Sequence, residues 1–445
     1  MNLELSDYRA KLASTSSARA WKSIRELALR GQGEALALAA EFAKIAEPSS
    51  DKLLKLWPQA LDPDAFAEHL LAPAFDDEGR VGLELRRRDS LTGLRHLTML
   101  RKLVLDHCKG LTDLSELAAL TELRELRLDG CAAVTNVRPL AELLDLEVLE
   151  IHSSPKLSDV SPLLSLRDLR RLSLRSSGVT SVEGFGKSFP YLADLSLDHC
   201  RNITDIRPLS GLSRLTTLDV SSTKITAIDG LHGLDSMAVL HMHCARLTSL
   251  DGIAAMPALE TLYLTGCTKL KSLDGLGHHP HLTNLGLPSA PLPDLLPLSR
   301  LPALTRIAVE GSNKLTSLDG LEGHPSISEV DLVYTETMRD FSALARMPAL
   351  RALTLQGLDH LADLSPFSGL LQLERLDIAC TGMTTLEGLD RLPSLRTLDL
   401  YDCPSLSDLA EFTGFPSLKK VNVMACPALP VDLLFDLRSR GLLTN

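Results

Sequence analysis

Leucine-type residues recur along most of this chain in the pattern L-x-x-L-x-L. We take the second leucine-type position of each copy as its reference position, and this position recurs at steps of 22 or 23 residues. The reference residues are Leu103, Leu126, Leu149, Leu172, Leu195, Leu218, Leu240, Leu262, Leu285, Ile307, Val330, Leu353, Leu376, Leu398 and Val421. Because the L-x-L element alternates apolar and polar positions, each copy predicts a short β-strand.

A degenerate first copy lies at Leu83–Leu85, so the array comprises about sixteen turns over residues 81–430. Between strands the apolar residues are three apart, as at Ile203, Ile206 and Leu209, which predicts tight 3₁₀ or extended segments in place of full α-helices. Turns of one length stack on their neighbours and bury a continuous core. The sequence therefore predicts a solenoid with one long parallel sheet.

The turns between strands carry a specific resemblance. The segments 203–209 (ITDIRPL), 157–163 (LSDVSPL) and 250–253 (LDGI) resemble the internalin and SDS22-like class of leucine-rich repeats, and the similarity covers about four fifths of the chain. The resemblance implies an α/β solenoid of the leucine-rich-repeat horseshoe kind, with the parallel sheet on the concave face and 3₁₀ or extended turns on the convex face. It also implies that the protein acts by binding a partner protein.

The two ends of the chain break the repeat. Residues 1–80 predict helices at 17–29, 34–46, 51–56 and 64–71, and these form either a helical N-terminal cap or a small interaction module. Residues 431–445 predict a C-terminal capping helix, with 431–442 helical. Caps are expected because the terminal turns of a solenoid expose an apolar edge.

Composition narrows the choice of partner. Hydrophobic residues make up 44% of the chain and aromatic residues only 4%, so aliphatic side chains must fill the core. A net charge of −11 disfavours nucleic acid and anionic membranes as partners and favours a basic protein. The sequence shows neither a secretory signal nor an apolar run long enough to span a membrane, so we expect a cytoplasmic protein. The low Lys content relative to Arg favours a bacterial source.

Six cysteines share one place in the repeat, five residues after the reference position. They are Cys108, Cys131, Cys200, Cys267, Cys403 and Cys426, and we interpret them as structural residues of the turn that leaves the strand. The segment 184–188 (GFGKS) lacks the leading glycine of a phosphate-binding loop because Ser181 occupies that place, so we expect no nucleotide site there.

Candidate binding residues follow from the strand register. Residues one before, one after, three after and four after the reference position should face the concave surface, and three of the five tyrosines fall there. Tyrosine is enriched in binding hot spots. The candidate partner-binding residues are His152, Arg175, Asp198, His199, Asp219, His241, His243 and Tyr263 in a region rich in His and Asp, and Glu310, Asp331, Tyr334, Asp377, Asp399, Tyr401 and Asp402 in an acidic region with tyrosines.

The preferred hypothesis is a non-enzymatic binding protein without cofactors, such as a bacterial regulator, an immunity or antitoxin protein, or an adaptor. The alternative is an effector or enzyme subunit that recognises its substrate through the repeats. One version of that alternative is a metal site built from Asp219, His241, His243 and Cys244, although ligands on a flat sheet rarely converge tetrahedrally. The identity of the partner and the oligomeric state stay open.

Overall fold

The computed structural model describes residues 5–12, 15–290, 292, 294–311, 315–389, 392–409 and 415–443. The chain forms two compact units. The first comprises Met1–Ser196 with Cys200–Asn202, and the second comprises Leu197–His199 with Ile203–Asn445. No helix in the described residues is long and apolar enough to cross a bilayer.

The first unit begins with helices. They are α1 (Leu5–Leu12), α2 (Ser17–Arg30), α3 (Glu34–Ala46), α4 (Ser50–Leu56), α5 (Pro63–Phe66) and α6 (Ala72–Asp77), with a π-helical turn at Ala67–Leu71. Ile24 and Leu27 of α2 and Phe42 of α3 are fully buried, because each helix carries its apolar residues on one face. The Asp62 carboxylate caps α5 by accepting a hydrogen bond of 3.1 Å from the Ala65 N–H.

The helical prediction is confirmed, but it was incomplete at two places. Helix α1 was not predicted, and the predicted helix at 64–71 continues as far as Asp77 through the π-helical turn. Pro73 lies in the first turn of α6 and has no N–H to donate. The wider turn at Ala67–Leu71 directly precedes this interruption of the hydrogen-bond ladder.

Sixteen parallel strands follow. They are Gly82–Arg86 (β1), Lys102–Asp106 (β2), Glu125–Asp129 (β3), Val148–His152 (β4), Arg171–Ser173 (β5), Asp194–Ser196 (β6), Thr217–Asp219 (β7), Val239–His241 (β8), Thr261–Tyr263 (β9), Asn284–Gly286 (β10), Arg306–Glu310 (β11), Glu329–Val333 (β12), Ala352–Thr354 (β13), Arg375–Asp377 (β14), Thr397–Asp399 (β15) and Lys420–Asn422 (β16). Strands β1–β6 lie in the first unit and β7–β16 in the second. Within each unit every strand pairs with the next one along the chain.

The strand register places the reference residues in line. Leu103 pairs with Leu126 in the first unit, and Leu218 pairs with Leu240 in the second. These side chains are fully buried, as are the leucines two residues later, such as Leu105. Burying a leucine contributes roughly 1.5–3 kcal/mol, so the repeated column is the main source of stability. The predicted leucine-rich-repeat solenoid is confirmed.

Short 3₁₀ segments fill many of the return paths between strands, as at Arg207–Leu209 and Ser161–Ser165. A carboxylate placed two residues earlier begins several of them. Asp205 accepts a hydrogen bond of 2.9 Å from the Arg207 N–H, and Asp159 accepts one of 2.9 Å from the Ser161 N–H. The Arg207 guanidinium, which also donates to Asp205 at 2.7 Å, holds the pKa of Asp205 below its ordinary value together with the Arg207 N–H. The Ser161 N–H lowers the pKa of Asp159. The segment 184–188 forms one short helix, α7 (Phe185–Ser188).

Seven of the eight cysteines, all but Cys380, lie in the core, and several bridge successive turns. The Cys200 thiol donates to the Leu174 carbonyl at 3.0 Å, and the Cys267 thiol donates to the Met242 carbonyl at 2.7 Å. The β8 turn departs from the spacing of five residues after the reference position. In the β8 turn Cys244 is fully buried and donates to the Val220 carbonyl at 3.1 Å, while Ala245, five residues after Leu240, is exposed. The chain there enters its turn one residue early.

The C-terminal end closes the last strand. Helix α8 (Val431–Ser439) is shorter than the predicted 431–442, and its Leu437 is fully buried. The chain after α8 turns back to β16, where the Val421 N–H donates to the Leu442 carbonyl at 2.7 Å. This contact pairs part of an edge that would otherwise be open.

Candidate partner-binding site

Each strand presents one row of side chains away from the core, and we call this side of the sheet the open face. Thr217 and Asp219 are half-buried on either side of the fully buried Leu218. Positions three and four after the reference residue continue the open face beyond the strand. The fifteen candidate residues from the sequence all lie on these positions.

The position four residues after the reference residue has a left-handed backbone in fourteen turns, with φ between +52° and +81°. The residues are Arg87, His107, Gly130, Ser153, Ser176, His199, Ser222, Gly266, Gly311, Tyr334, Gly357, Cys380, Asp402 and Ala425. This conformation is uncommon for residues other than glycine. It turns the chain away from the sheet, and it fixes the direction of His199, Tyr334 and Asp402 on the open face.

In the first unit the open face is dominated by short-range contacts. His152 Nε2 lies 2.8 Å from Ser173 Oγ, and Arg175 is exposed next to Ser176. Ion pairs cross neighbouring strands, including Lys102 with Glu125 at 3.0 Å. Such exposed pairs contribute little stability and are exchanged easily with solvent.

In the second unit, histidine and tyrosine form a stack. The rings of His241 and Tyr263 are 4.8 Å apart between centroids, with an angle of 24° between their planes. Asp219 lies opposite His241 in the register, as predicted, but its carboxylate accepts a hydrogen bond of 2.9 Å from the Ser221 N–H. Upstream, His199 Nδ1 lies 2.6 Å from Asp198 Oδ1.

The proposed metal ligands do not converge. His241 and His243 lie on the open face, whereas the Cys244 thiol is buried in the core and bound to the Val220 carbonyl. Burial raises the pKa of this thiol, which opposes formation of the thiolate that a metal requires. Among the described residues no group of three or more His, Cys, Asp or Glu side chains is placed to hold a metal ion.

A second region of the open face lies on β12–β15, and we call it the acidic tyrosine surface: Asp331, Tyr334, Asp377, Asp399, Tyr401 and Asp402. Its strand positions are in register, with Asp377 opposite Asp399. The positions one, three and four after the reference residue on these four strands hold four aspartates and two tyrosines, and they hold no Lys or Arg. Tyr334 and Tyr401 are 53% and 42% exposed.

The aspartates differ in their surroundings. Protein groups stabilise the Asp399 carboxylate, which accepts hydrogen bonds from the Tyr401 N–H at 2.9 Å and from Asn422 Nδ2 at 3.0 Å. Asp377 accepts one from the Ala379 N–H at 3.0 Å, yet burial, together with Asp399 and Asp331, raises its pKa. Asp377 is therefore the carboxylate with most to gain from a cationic partner.

A shallow cavity of about 220 Å³ lies over these strands. Glu329, Thr354 and Arg375 line it together with Asp377 and Asp399. Glu329, Thr354 and Arg375 were not among the candidates from the sequence. Thr354 is a small residue, and Glu329 and Arg375 lie one residue before the reference position on strands where the candidates chosen were aspartates and tyrosines. The register alone would have found Thr354, since it lies between Asp331 and Asp377.

Two arginines beside this region are paired. Arg306 Nη2 lies 2.7 Å from Asp331 Oδ2, and Arg375 Nη2 lies 3.8 Å from Glu329. Glu310, at the end of β11, is exposed. A carboxylate row of this kind can accept hydrogen bonds from ammonium or guanidinium groups, and the tyrosines beside it can pack against the apolar parts of the same side chains.

Comparison with known proteins places the fold. No protein-family model matches the chain, and no curated protein sequence matches it. The functional domain of InlJ from Listeria monocytogenes, which includes a cysteine ladder, is similar with a TM-score of 0.51 and 21% identity over 77% of this chain and 73% of that one. A leucine-rich-repeat protein of Leptospira interrogans gives a TM-score of 0.50 and 17% identity over 84% and 91%.

TLR13, solved in a complex with ssRNA13, gives a TM-score of 0.52 and 17% identity over 78% of this chain and 61% of that one. These similarities confirm the internalin-like leucine-rich-repeat fold that the sequence predicted. At such identities they establish the fold alone.

Proposed function

We propose that this leucine-rich-repeat protein is a non-enzymatic binding protein that takes a basic segment of a partner protein on its acidic tyrosine surface. The observation that carries the proposal is the register of Asp377 opposite Asp399, flanked by exposed Tyr334 and Tyr401. Carboxylates give charge-assisted hydrogen bonds to Arg and Lys, and tyrosine supplies contact area at low entropic cost.

The electrostatics of the region support a basic protein over a nucleic acid. Phosphate contacts need clustered Lys and Arg; the positions one, three and four after the reference residue on β12–β15 have neither, and Arg375 of β14 is paired with Glu329. Roles as a regulator, an immunity or antitoxin protein, or an adaptor are all compatible with this mode of binding. In each of them the scaffold acts by occupying or presenting its partner.

The proposal is tested by capture from a lysate of the source organism with three immobilised baits: the wild-type chain, the double variant Tyr334→Ala with Asp377→Lys, and Asp408→Lys. Asp408 is exposed in a turn outside the strands, so this control makes the same charge change away from the open face. We expect a stoichiometric protein partner on the wild type and on the control, and its loss from the double variant.

The partner should also dissociate as salt is raised, because the contact is mainly between charged groups that dissolved ions can screen. Equal retention on the double variant would show that the site is wrong. Capture of RNA in place of protein, or of no stoichiometric partner, would overturn the proposed function.

A further inference from the structure

The helical segment of the first unit contains a cavity that the repeat array does not explain. It lies between α3, α4 and the continuous segment from Ala67 to Asp77, and its volume is about 720 Å³. This volume is more than three times that of the cavity over β12–β15. Its size is within the range of sites for small organic molecules.

The floor of this cavity is apolar. Leu53 and Leu70 are buried at its base, and Ala43 and Pro73 form part of its walls. A half-open space with an apolar floor favours a ligand with a hydrocarbon or aromatic body, since such a body replaces water on the exposed carbon atoms.

The rim carries an excess of negative charge. Glu47, Asp77 and Glu78 border the cavity, and the one lysine beside it, Lys44, has its ammonium group 2.8 Å from the Glu41 carboxylate. Helices α3 and α6 also end here, at Ala46 and Asp77, so the negative ends of two helix dipoles add to the carboxylates.

One of the carboxylates is held in its ionised form. Glu78 accepts hydrogen bonds from the Ser50 N–H at 2.8 Å and from Ser50 Oγ at 2.6 Å, and these contacts lower its pKa. Arg80, whose charge also lowers the pKa of Glu78, has its Nη1 2.7 Å from both Ser50 Oγ and Asp51 Oδ1. Glu47 and Asp77 are exposed and carry no ion pair within the described residues.

Two backbone irregularities lie on the same wall. The π-helical turn at Ala67–Leu71 carries His69 on the cavity, and Glu47 ends α3 with a left-handed backbone at φ +43°. π-Helical turns are rare and are frequent at functional sites, and left-handed residues other than glycine are costly. Both features shape this one cavity.

We propose that the cavity binds an amphipathic organic cation, with its ammonium or guanidinium group between Glu47 and Asp77 and its apolar body on Leu53 and Leu70. The site is separate from the acidic tyrosine surface and does not depend on the proposed function. The ligand class follows from the apolar floor together with the unpaired carboxylates at the rim.

The test uses the full-length chain and three probes of one shape: 4-phenylbutylammonium, the neutral 4-phenylbutan-1-ol and the anionic 4-phenylbutyrate. Binding is measured by isothermal titration calorimetry and by saturation-transfer NMR. We expect the ammonium probe to bind with a dissociation constant of roughly millimolar or below, and the other two to bind more weakly by about fivefold or more.

Four variants locate the site. Glu47→Gln with Asp77→Asn should weaken the ammonium probe roughly three- to tenfold, as expected for two exposed carboxylates. Ala43→Met should project a longer side chain into the apolar part of the cavity and weaken binding. Asp76→Asn removes a neighbouring exposed carboxylate that does not line the cavity, and Asp408→Asn removes an exposed one outside the strands, so both should bind like the wild type.

The charge variants replace exposed side chains, so they keep the test valid if Ala43→Met is poorly folded. Equal affinity for the alcohol and the ammonium probe would overturn the proposed ligand class. Undiminished affinity in the double charge variant, or an equal loss of affinity in Asp76→Asn, would overturn the site.

Discussion

The Tyr334 ring lies against the backbone of Gly357 on the next turn, so closely that a β-carbon at Gly357 would overlap Cδ1 of the ring. His243 lies over Gly266 in the same way, and Tyr263 lies over Gly286 with 3.0 Å between its Cδ1 and the β-carbon position. Aromatic side chains on the open face thus rest on glycines one turn further along, which fixes their orientation before a partner arrives.

Gly357→Ala should therefore displace Tyr334 and weaken partner binding. The new methyl group meets the ring, and φ of +72° at this position adds strain, for a total loss of stability of about 1–3 kcal/mol. Urea unfolding and the capture assay measure the two effects. Gly369→Ala is the matched control, because the nearest atom to its β-carbon is 4.0 Å away, and normal partner binding by Gly357→Ala would contradict the role of this contact.

Asp377→Asn should separate stability from binding. Burial and the neighbouring aspartates raise the pKa of Asp377, so its ionised form is less favourable in the folded chain than in the unfolded chain. Its contribution is favourable at low pH and is lost as pH rises through the ordinary value of 3.8 towards the raised folded value.

At neutral pH the asparagine variant should thus be slightly more stable, by on the order of 0.5 kcal/mol, while it captures less partner. Asp399→Asn is the comparison, because Asn422 and the Tyr401 N–H already stabilise that carboxylate. If Asp377→Asn melted below the wild type at pH 7, the carboxylate would be a stabilising group and the interpretation would fail.

Two buried histidines should make the second unit sensitive to acid. His279 and His324 are 2% and 5% exposed, and both take a place in the repeat where the turn between them has Leu301. Neither ring nitrogen of His279, nor Nε2 of His324, has a hydrogen-bond partner among the described residues. Burial lowers the pKa of both, and His278 adds to the effect at His279.

Because the folded pKa values are depressed, stability is full above the ordinary value of 6.5 and is lost as pH falls below it. His279→Leu with His324→Leu should flatten this dependence between pH 7 and pH 5 and raise the unfolding midpoint at pH 5. Thermal melts across that range provide the measurement, with the exposed His281→Leu as control. An unchanged slope in the double variant would exclude these histidines as its cause.

The buried cysteines five residues after the reference position should tolerate replacement by serine better than replacement by valine. Cys267 is fully buried, its thiol donates to the Met242 carbonyl at 2.7 Å, and burial raises its pKa to about 12. Ser154 fills the same place in another turn and donates to the Cys131 carbonyl at 3.3 Å. Cys267→Val removes the thiol donor, so the Met242 carbonyl keeps only the bond from the Cys244 N–H at 2.8 Å; we expect a cost of roughly 0.5–1.5 kcal/mol, whereas Cys267→Ser should cost less. Denaturant melts that ranked the two variants in the opposite order would rule out this hydrogen bond as the main contribution.

Leu218→Asp tests the strand register. The leucine is fully buried, so the change loses roughly 1.5–3 kcal/mol of burial and adds the cost of a buried charge. Thr217→Asp makes the same acidic substitution one residue earlier on the half-buried open face and should be tolerated. Circular dichroism melts of the two variants should differ by several kcal/mol in unfolding free energy, and similar melts would mean that the register is shifted.

The strands could be predicted from the sequence because buried and exposed positions alternate along each strand, and every turn repeats the same pattern. Leu218 could be placed in the core from its spacing alone. Cys244 could not, because a turn that shortens by one residue leaves the overall step at 22 and shows only in the backbone path. The π-helical turn near His69 was equally hidden, since it depends on how Pro73 interrupts a helix that reads as continuous.

The sequence predicted the candidate site only in outline. Register gave the rows, and therefore the approach of Asp377 to Asp399, but side-chain chemistry depends on neighbours that are distant in sequence. The stack of His241 on Tyr263 joins residues 22 apart. The pKa of Asp377 is raised by burial, together with Asp399 and Asp331, which lie 22 and 46 residues away. The cavity near Glu47 lies between helical segments, and no periodic pattern in the sequence shows how these segments pack against one another.

The left-handed residue at the end of the strand also limits how the binding surface can vary. Side chains branched at the β-carbon fit poorly at positive φ, and none of the fourteen residues at this position is Val, Ile or Thr. Recognition can therefore diversify there only among glycine, small polar residues and unbranched or aromatic side chains. The residue types available to this row of the surface are therefore limited, and any redesign for a new partner would have to use them.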